Sequence, residues 1–329
     1  MVCNFIRNFA AGIRTLSIKE YTLKTERYAI WLCLMLCLLG IGCKEQRALD
    51  EGNAVYYWRT DLRLDSTERA FLKAYHINKV YCRYFDVVMD ENGEPMPNAT
   101  ITFSDTLPDD IEIIPTVYIT VDCLQKPHKD LAAKLVKRIL QMNETNDIKG
   151  VREIQIDYDY TARSMGIYYD FLREICGKWK ENSALPLATE GTQESGKRDA
   201  IVSTTIRLHQ LSMEAPPVDY GALMLYNTGD PQKWTERNPI LDQRDVAPYL
   251  RHLDDYPLPL AAAYPVFSWL RFIGNVEIEH TVEADEILQV KRMVEQERED
   301  LSRSIITYHL DKDNINRYKP ETYEEIYHH

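Results

Sequence analysis

Residues 153–161 read Glu-Ile-Gln-Ile-Asp-Tyr-Asp-Tyr-Thr and set two carboxylates two positions apart in an alternating segment. Successive side chains of a β-strand point to opposite faces. Glu153, Gln155, Asp157 and Asp159 therefore share one face, and Ile154, Ile156 and Tyr158 the other. At about 3.3 Å per residue, Asp157 and Asp159 stand roughly 7 Å apart. Two inward carboxylates that close raise the first pKa of the pair and divide into one acid and one base, the division that glycoside hydrolysis uses.

Similar alternation recurs. Ser203, Thr205, Arg207 and His209 oppose Val202, Thr204, Ile206 and Leu208; Thr116, Tyr118 and Thr120 oppose Val117 and Ile119; Thr307, His309 and Asp311 oppose Ile306, Tyr308 and Leu310. A buried polar group costs about 1–3 kcal/mol if unpaired. Such rows either satisfy one another in a closed network or line a wet mouth that accepts a ligand.

The elements that would position these residues alternate between strand and helix. Strands are expected at Ala54–Thr60, Lys79–Val88, Ile113–Val121, Glu153–Thr161, Ile201–Gln210, Gly221–Thr228, Leu260–Trp269 and Ser304–Asp311. Helices are expected from Ser66, over Lys129–Met142 with Leu131, Leu135, Ile139 and Leu140 buried, and over Met165–Lys180 with Tyr168, Phe171, Leu172 and Ile175 buried. Further helices are expected at Gln243–Leu253, Ala284–Ser302 and Glu321–Tyr327. Residues 89–111 break the pattern with the turn Asp-Glu-Asn-Gly-Glu-Pro and an extended Thr-Ile-Thr-Phe, so a small β excursion is expected after strand two in place of a helix. Residues 181–199 read as a surface loop. The fold class is α/β, a (β/α)8 TIM-like barrel.

Working residues of such barrels sit at the C-terminal ends of the strands. Those ends collect Trp58, Arg59, Arg83, Asp86, Tyr118, Asp157, Asp159, Arg207, His209, Tyr226, Asn227, Trp269, His309 and Asp311. Carboxylates and amides bind hydroxyls, and Trp and Tyr faces cover the apolar side of a pyranose, so the mixture suits a carbohydrate ligand. Asp157 and Asp159 are the catalytic candidates. Trp58, Arg83, Tyr118, Arg207, His209, Tyr226, Asn227, Trp269 and His309 are the substrate-binding candidates.

Charge and cysteine usage narrow the partners. The net charge is −12, and residues 1–43 carry five basic and two acidic residues, so the remainder is −15. Such a surface repels phosphate backbones, and no nucleic-acid partner is expected. No zinc-ligand spacing is present, and neither a metal nor another cofactor is expected. Arg14, Lys19, Lys24 and Arg27 precede an apolar run from Ala29 to Gly42 that ends at Cys43. The run is shorter than the about 20 residues that span a bilayer and suits a secretory signal. Residues 39–43, Leu-Gly-Ile-Gly-Cys, resemble a bacterial lipoprotein signal. That resemblance implies lipidation of Cys43, membrane attachment through it, and an exported, envelope-anchored protein. The expected organisation is a signal and anchor segment over 1–43, a linker over 44–53 and one barrel over 54–329, with Cys82, Cys123 and Cys176 left in the mature chain.

Ile154–Asp159 followed by Tyr160 and Thr161, with Met224-Leu225-Tyr226-Asn227, resembles the fourth- and sixth-strand elements of family 18 chitinases. The resemblance implies a glycosidase barrel, with Thr161 standing where the family carries its glutamate acid. Residues 56–60, 155–159, 206–210, 224–227 and 256–260 are similar to exported Bacteroides-type lipoproteins with glycosidase-like barrels. The expected function is hydrolysis or binding of a carbohydrate at the cell envelope. The alternatives are a glycan-binding module that lost its catalytic acid, and a scaffold whose mouth is plugged by residues 89–111 and 270–282.

Overall fold

The computed structural model describes residues 51–183, 200–230, 237–273 and 276–328. Cys43, the signal segment and most of the linker lie outside the described residues, as does residues 184–199 of the expected loop.

In chain order the elements are β1 (Gly52–Tyr57), β2 (Asp61–Leu62), α1 (Ser66–Ala74), β3 (Ile77–Met89), β4 (Pro95–Asn98), β5 (Thr102–Phe103), β6 (Glu112–Ile119), α2 (Leu131–Thr145), β7 (Glu153–Asp157) and α3 (Met165–Ser183). They continue with β8 (Ile201–Arg207), β9 (Tyr220–Met224), α4 (Gln243–Leu250), β10 (Leu260–Pro265), β11 (Trp269–Ile273), β12 (Val276–His280), α5 (Ala284–Glu297), β13 (Ser304–Tyr308), α6 (Lys312–Ile315) and α7 (Pro320–Ile326). Strands β1, β3, β6, β7, β8, β9, β10 and β13 pair in that order, all in parallel, and β13 returns to β1. The result is the closed eight-stranded barrel expected from the alternation.

The β excursion is present, and it replaces a helix. β4 pairs antiparallel with the end of β3, and β5 pairs with β2. Phe103 packs edge-on against Tyr84 at 5.4 Å, and Tyr84 in turn donates to Asn143 of α2 at 2.8 Å. Residues 101–103 thus lie on the outer flank of β3, where a helix would otherwise cover the strand. Between β8 and β9 a short 3-10 turn, Leu208–Ser212, stands where a full βα unit would place a helix.

The amphipathic helices bury the predicted faces. Leu131, Leu135 and Ile139 of α2 are buried, joined by Val136 and Asn143, and Leu140 is partly covered. Tyr168, Phe171, Leu172 and Ile175 of α3 are buried against the barrel. Helix α1 starts at Ser66, as the sequence suggests. Asp65 is its N-cap, accepting from the Glu68 amide at 2.9 Å while Glu68 accepts from the Asp65 amide at 2.9 Å.

Strand eight is turned the opposite way from the sequence expectation. The Thr307 hydroxyl pairs with the Tyr327 hydroxyl just after α7 at 2.6 Å, so Thr307 faces the helical layer. Tyr308 packs within the barrel against Tyr56 at 5.5 Å and Tyr226 at 5.0 Å. The cause lies in the composition: Ile305 and Ile306 are both buried, so the polarity of this strand does not tell its two faces apart.

Candidate functional site

The barrel interior is polar from its floor upward, and its lower levels are internally satisfied. Near the floor the Tyr81 and Tyr220 hydroxyls lie 2.7 Å apart, and Ser203 donates to Glu153 at 2.6 Å. Burial foremost pushes the Glu153 carboxyl up to about 7, against the opposing pull of Lys79 and hydrogen bonds from Ser203 and Tyr220. One level higher, Tyr56 donates to Gln155 Oε1 at 2.9 Å from across the barrel, and Gln155 Nε2 reaches Ser203 at 3.4 Å. These contacts turn Glu153, Gln155 and Ser203 inward. On the opposite parity, Thr204 bonds Tyr168 of α3, and Tyr158 packs on the same ring at 4.8 Å.

Asp157 closes the satisfied network. It is 4 % exposed and accepts from Thr205 at 2.6 Å and from Arg207 Nη2 at 3.0 Å. Arg207 also donates to Thr205 at 2.7 Å. Burial works against the charge of Arg207, and the carboxylates of Asp157 and Asp159 outweigh it, so the guanidinium is held above its ordinary range. The sequence allows either an acid and base pair of Asp157 with Asp159 or neutralisation of one aspartate by Arg207; the structure pairs Asp157 with Arg207.

Asp159 belongs to the mouth. β7 ends at Asp157, and the Asp159 side chain is about half exposed while its Oδ1 atom is buried without a hydrogen-bond partner. His209 Nε2 is 3.9 Å from that oxygen. Asp159, Arg207, Leu208, His209, Met224, Tyr226, Asn227, Thr228 and Tyr249 line a cavity of about 250 Å³ at the C-terminal ends of β7, β8 and β9. Tyr226 is 4 % exposed, its hydroxyl has no partner, and burial foremost holds its phenol well above the ordinary range and thus neutral. Asn227 adopts a left-handed conformation with φ of 55°, which asparagine accepts more readily than most residues.

Beside the cavity runs an aromatic group. Tyr308 touches Tyr226, Trp58 at 5.7 Å and Phe267 at 5.3 Å, and Trp269 lies 6.2 Å from Phe267. Arg83 lies over the Trp58 ring at 5.6 Å and pairs with Asp86 through Nε at 2.7 Å. A bulge in β3 makes this pair possible. The register with β6 slips between Arg83 and Phe85, so Tyr84 and Phe85 both face outward and Asp86 turns back to the side of Arg83. Tyr118 is half-buried, and its phenol is raised first by burial and then by the charge of Asp157.

The cavity therefore gathers Asp159, Arg207, His209, Tyr226 and Asn227; Trp58, Arg83, Tyr118 and Trp269 are not among its lining residues, and Trp58 lines a separate hollow with Arg59 and Glu68. His309 is not among the cavity-lining residues. It follows Tyr308 on the reversed strand, burial lowers its pKa, and its nearest charges are Asp311 and Arg59. Thr161 is exposed, is not among the cavity-lining residues, and belongs to the turn that opens α3, where its amide donates to Ser164 Oγ at 3.0 Å. The carboxylate that the segment just after β7 presents to the cavity is Asp159. Tyr308 and Tyr249 were missed by the sequence reading. Tyr308 was assigned to the wrong face, and Tyr249 comes from α4, outside every strand end.

A larger groove of about 650 Å³ lies at the strand-start end, between residues 105–113 and 146–152. Three of its acids are paired, Asp105 with Arg69, Glu112 with Arg152 at 2.8 Å and Asp147 with Lys149 at 2.8 Å. Barrel chemistry belongs to the opposite end. Among the described residues no group of three or more His, Cys, Asp or Glu could hold a metal ion, and Cys82, Cys123 and Cys176 are separate thiols.

No protein-family model matches the sequence, and no curated protein matches it. Solved structures do match in three dimensions. A chitinase from Bacteroides thetaiotaomicron aligns over 84% of this chain and 96% of its own, with a TM-score of 0.54 and 11% identity. The spore cortex-lytic enzyme SleL of Bacillus cereus aligns over 84% of this chain and 73% of its own, with a TM-score of 0.51 and 13% identity. A family 18 chitinase from Cycas revoluta, solved in complex with (GlcNAc)4, aligns over 84% of this chain and 99% of its own, with a TM-score of 0.50 and 12% identity. At these identities the likeness is one of fold: the chain has the same closed α/β barrel as these enzymes.

Proposed function

We propose that this protein is an exported, envelope-anchored lipoprotein whose barrel mouth binds a carbohydrate and hydrolyses it. The observation that carries the reading is the cavity beside Asp159, where an unpartnered carboxylate oxygen, the buried hydroxyl of Tyr226, Asn227 and His209 converge. Polar groups left without partners in a cavity are matched by a ligand's hydroxyls. In this scheme Asp159 is the base: it takes a proton from a water whose oxygen bonds the anomeric carbon as the glycosidic bond breaks, and the leaving oxygen takes its proton from solvent. Asp157, ion-paired to Arg207, holds the guanidinium in place and stabilises positive charge developing on the sugar. Trp58, Tyr118 and Trp269 line the path of the glycan beyond the cavity. Attachment to the membrane through Cys43 rests on the sequence resemblance.

One observation favours binding without turnover as the second reading. Hydrolysis uses two working carboxylates, and Asp157 is already engaged by Arg207 and Thr205. The deciding experiment incubates the full-length protein and its Asp159→Asn and Asp157→Asn variants with a panel of glycans. Turnover by the wild type that drops at least about 100-fold in Asp159→Asn supports hydrolysis. Binding with no turnover supports the second reading, and neither binding nor turnover removes both.

A further inference from the structure

Charge at the cavity distinguishes among carbohydrates. Arg207 is the guanidinium among the cavity-lining residues, and it is engaged by Asp157 at 3.0 Å; Arg83, outside the lining, is engaged by Asp86 at 2.7 Å. Asp159 is the third carboxylate, so with histidine neutral the group Asp86, Asp157, Asp159, Arg83 and Arg207 carries a net charge of −1. Its Oδ1 atom, turned away from solvent, has no hydrogen-bond partner, and the His209 nitrogen at 3.9 Å is beyond hydrogen-bond reach.

A second, independent group lines the same cavity. Tyr226 is 4 % exposed, lines the cavity, and leaves its hydroxyl oxygen without a partner. An unmatched buried hydroxyl and an unmatched carboxylate oxygen, on two residues that line one cavity, supply two acceptors. Tyr249 lines the same cavity and adds a second aromatic ring. Carboxylate, phenolic oxygen and ring faces are the groups that hold an ammonium. A sugar carboxylate or sulfate would instead meet Asp159 with Arg207, the guanidinium of the cavity lining, already committed to Asp157.

We infer that the cavity takes a single sugar residue bearing a free amine, its ammonium seated on Asp159 and the Tyr226 hydroxyl. The size agrees, since about 250 Å³ is below the roughly 300–1,000 Å³ of sites for larger ligands. This inference rests on the carbohydrate reading and adds the charge of the ligand to it.

The test measures binding of the methyl glycosides of glucosamine, N-acetylglucosamine, glucose and glucuronic acid to the full-length protein, by titration calorimetry at low and high salt. The amine binds about tenfold more tightly than the two neutral sugars, the value of one hydrogen bond to a charged group, and glucuronate binds most weakly. The preference shrinks as salt rises. In Asp159→Asn, with folding verified by circular dichroism, the ratio of amine to neutral affinity collapses toward one. Equal affinity for amine and neutral sugars in the wild type, or tighter glucuronate binding, overturns the amine assignment and leaves the carbohydrate reading standing. Absence of binding by all four overturns both.

Discussion

Arg207 Nη2 donates to Asp157 Oδ1 at 3.0 Å, while two residues further along the chain Asp159 keeps a buried carboxylate oxygen with no hydrogen-bond partner. Two carboxylates that look equivalent in sequence are thereby divided. One completes the packed interior, and the other meets the cavity.

That division predicts opposite responses to mutation. Arg207→Met strands the Asp157 charge where it is 4 % exposed, and breaking such a pair costs about 3 kcal/mol in urea unfolding. Adding Asp157→Asn to Arg207→Met recovers most of the loss, because no unpaired charge remains. Asp159→Asn changes stability by less than about 0.5 kcal/mol, as expected for a half-exposed side chain.

Glu153 makes stability depend on pH. Burial raises its folded pKa to about 7 from the ordinary 4.5, so the folded state holds the proton more tightly than the unfolded chain. The contribution is fully present below pH 4.5, falls as pH rises between 4.5 and about 7, and is flat above. Its size is about 3 kcal/mol. Glu153→Gln keeps a hydrogen-bonding side chain and flattens this interval. Chemical denaturation at several pH values, wild type against variant, reads the difference.

Tyr226→Phe separates stability from recognition. The hydroxyl is buried and has no partner, so its removal leaves stability unchanged or raises it by about 1 kcal/mol. Ligand affinity falls in the same variant if the hydroxyl serves the ligand. Thermal unfolding with and without sugar measures both effects on one sample.

The outward face of Thr307 has its own test. Thr307→Val removes the 2.6 Å contact with Tyr327 and costs about 1 kcal/mol, with no change in carbohydrate affinity. A loss of affinity without a loss of stability would return Thr307 to the barrel interior.

The proposed membrane attachment has its own test. Cys43→Ala releases the protein from the membrane fraction of the producing bacterium, and a fatty-acid label that marks the wild type is absent from the variant. Retention of the label would end the lipoprotein reading.

Much of the barrel was legible because burial writes a period into the chain. Glu153, Gln155 and Asp157 alternate with Ile154 and Ile156, and α2 and α3 repeat apolar residues at helical spacing, so faces and elements follow from side-chain type alone. Where both faces of a strand are apolar, the rule has no contrast to read. That is why Ser304–Tyr308 was turned the wrong way and Tyr308 was overlooked. Tertiary structure decided what alternation cannot express. A bulge in β3 brings Asp86 beside Arg83, strand pairing brings Arg207 of β8 to Asp157 of β7, and α4 supplies Tyr249. The sequence by itself determined which residues face the barrel's centre on most strands. Which of them meet one another, and hence which carboxylate is left for a ligand, depended on strand register and on contacts distant in the chain.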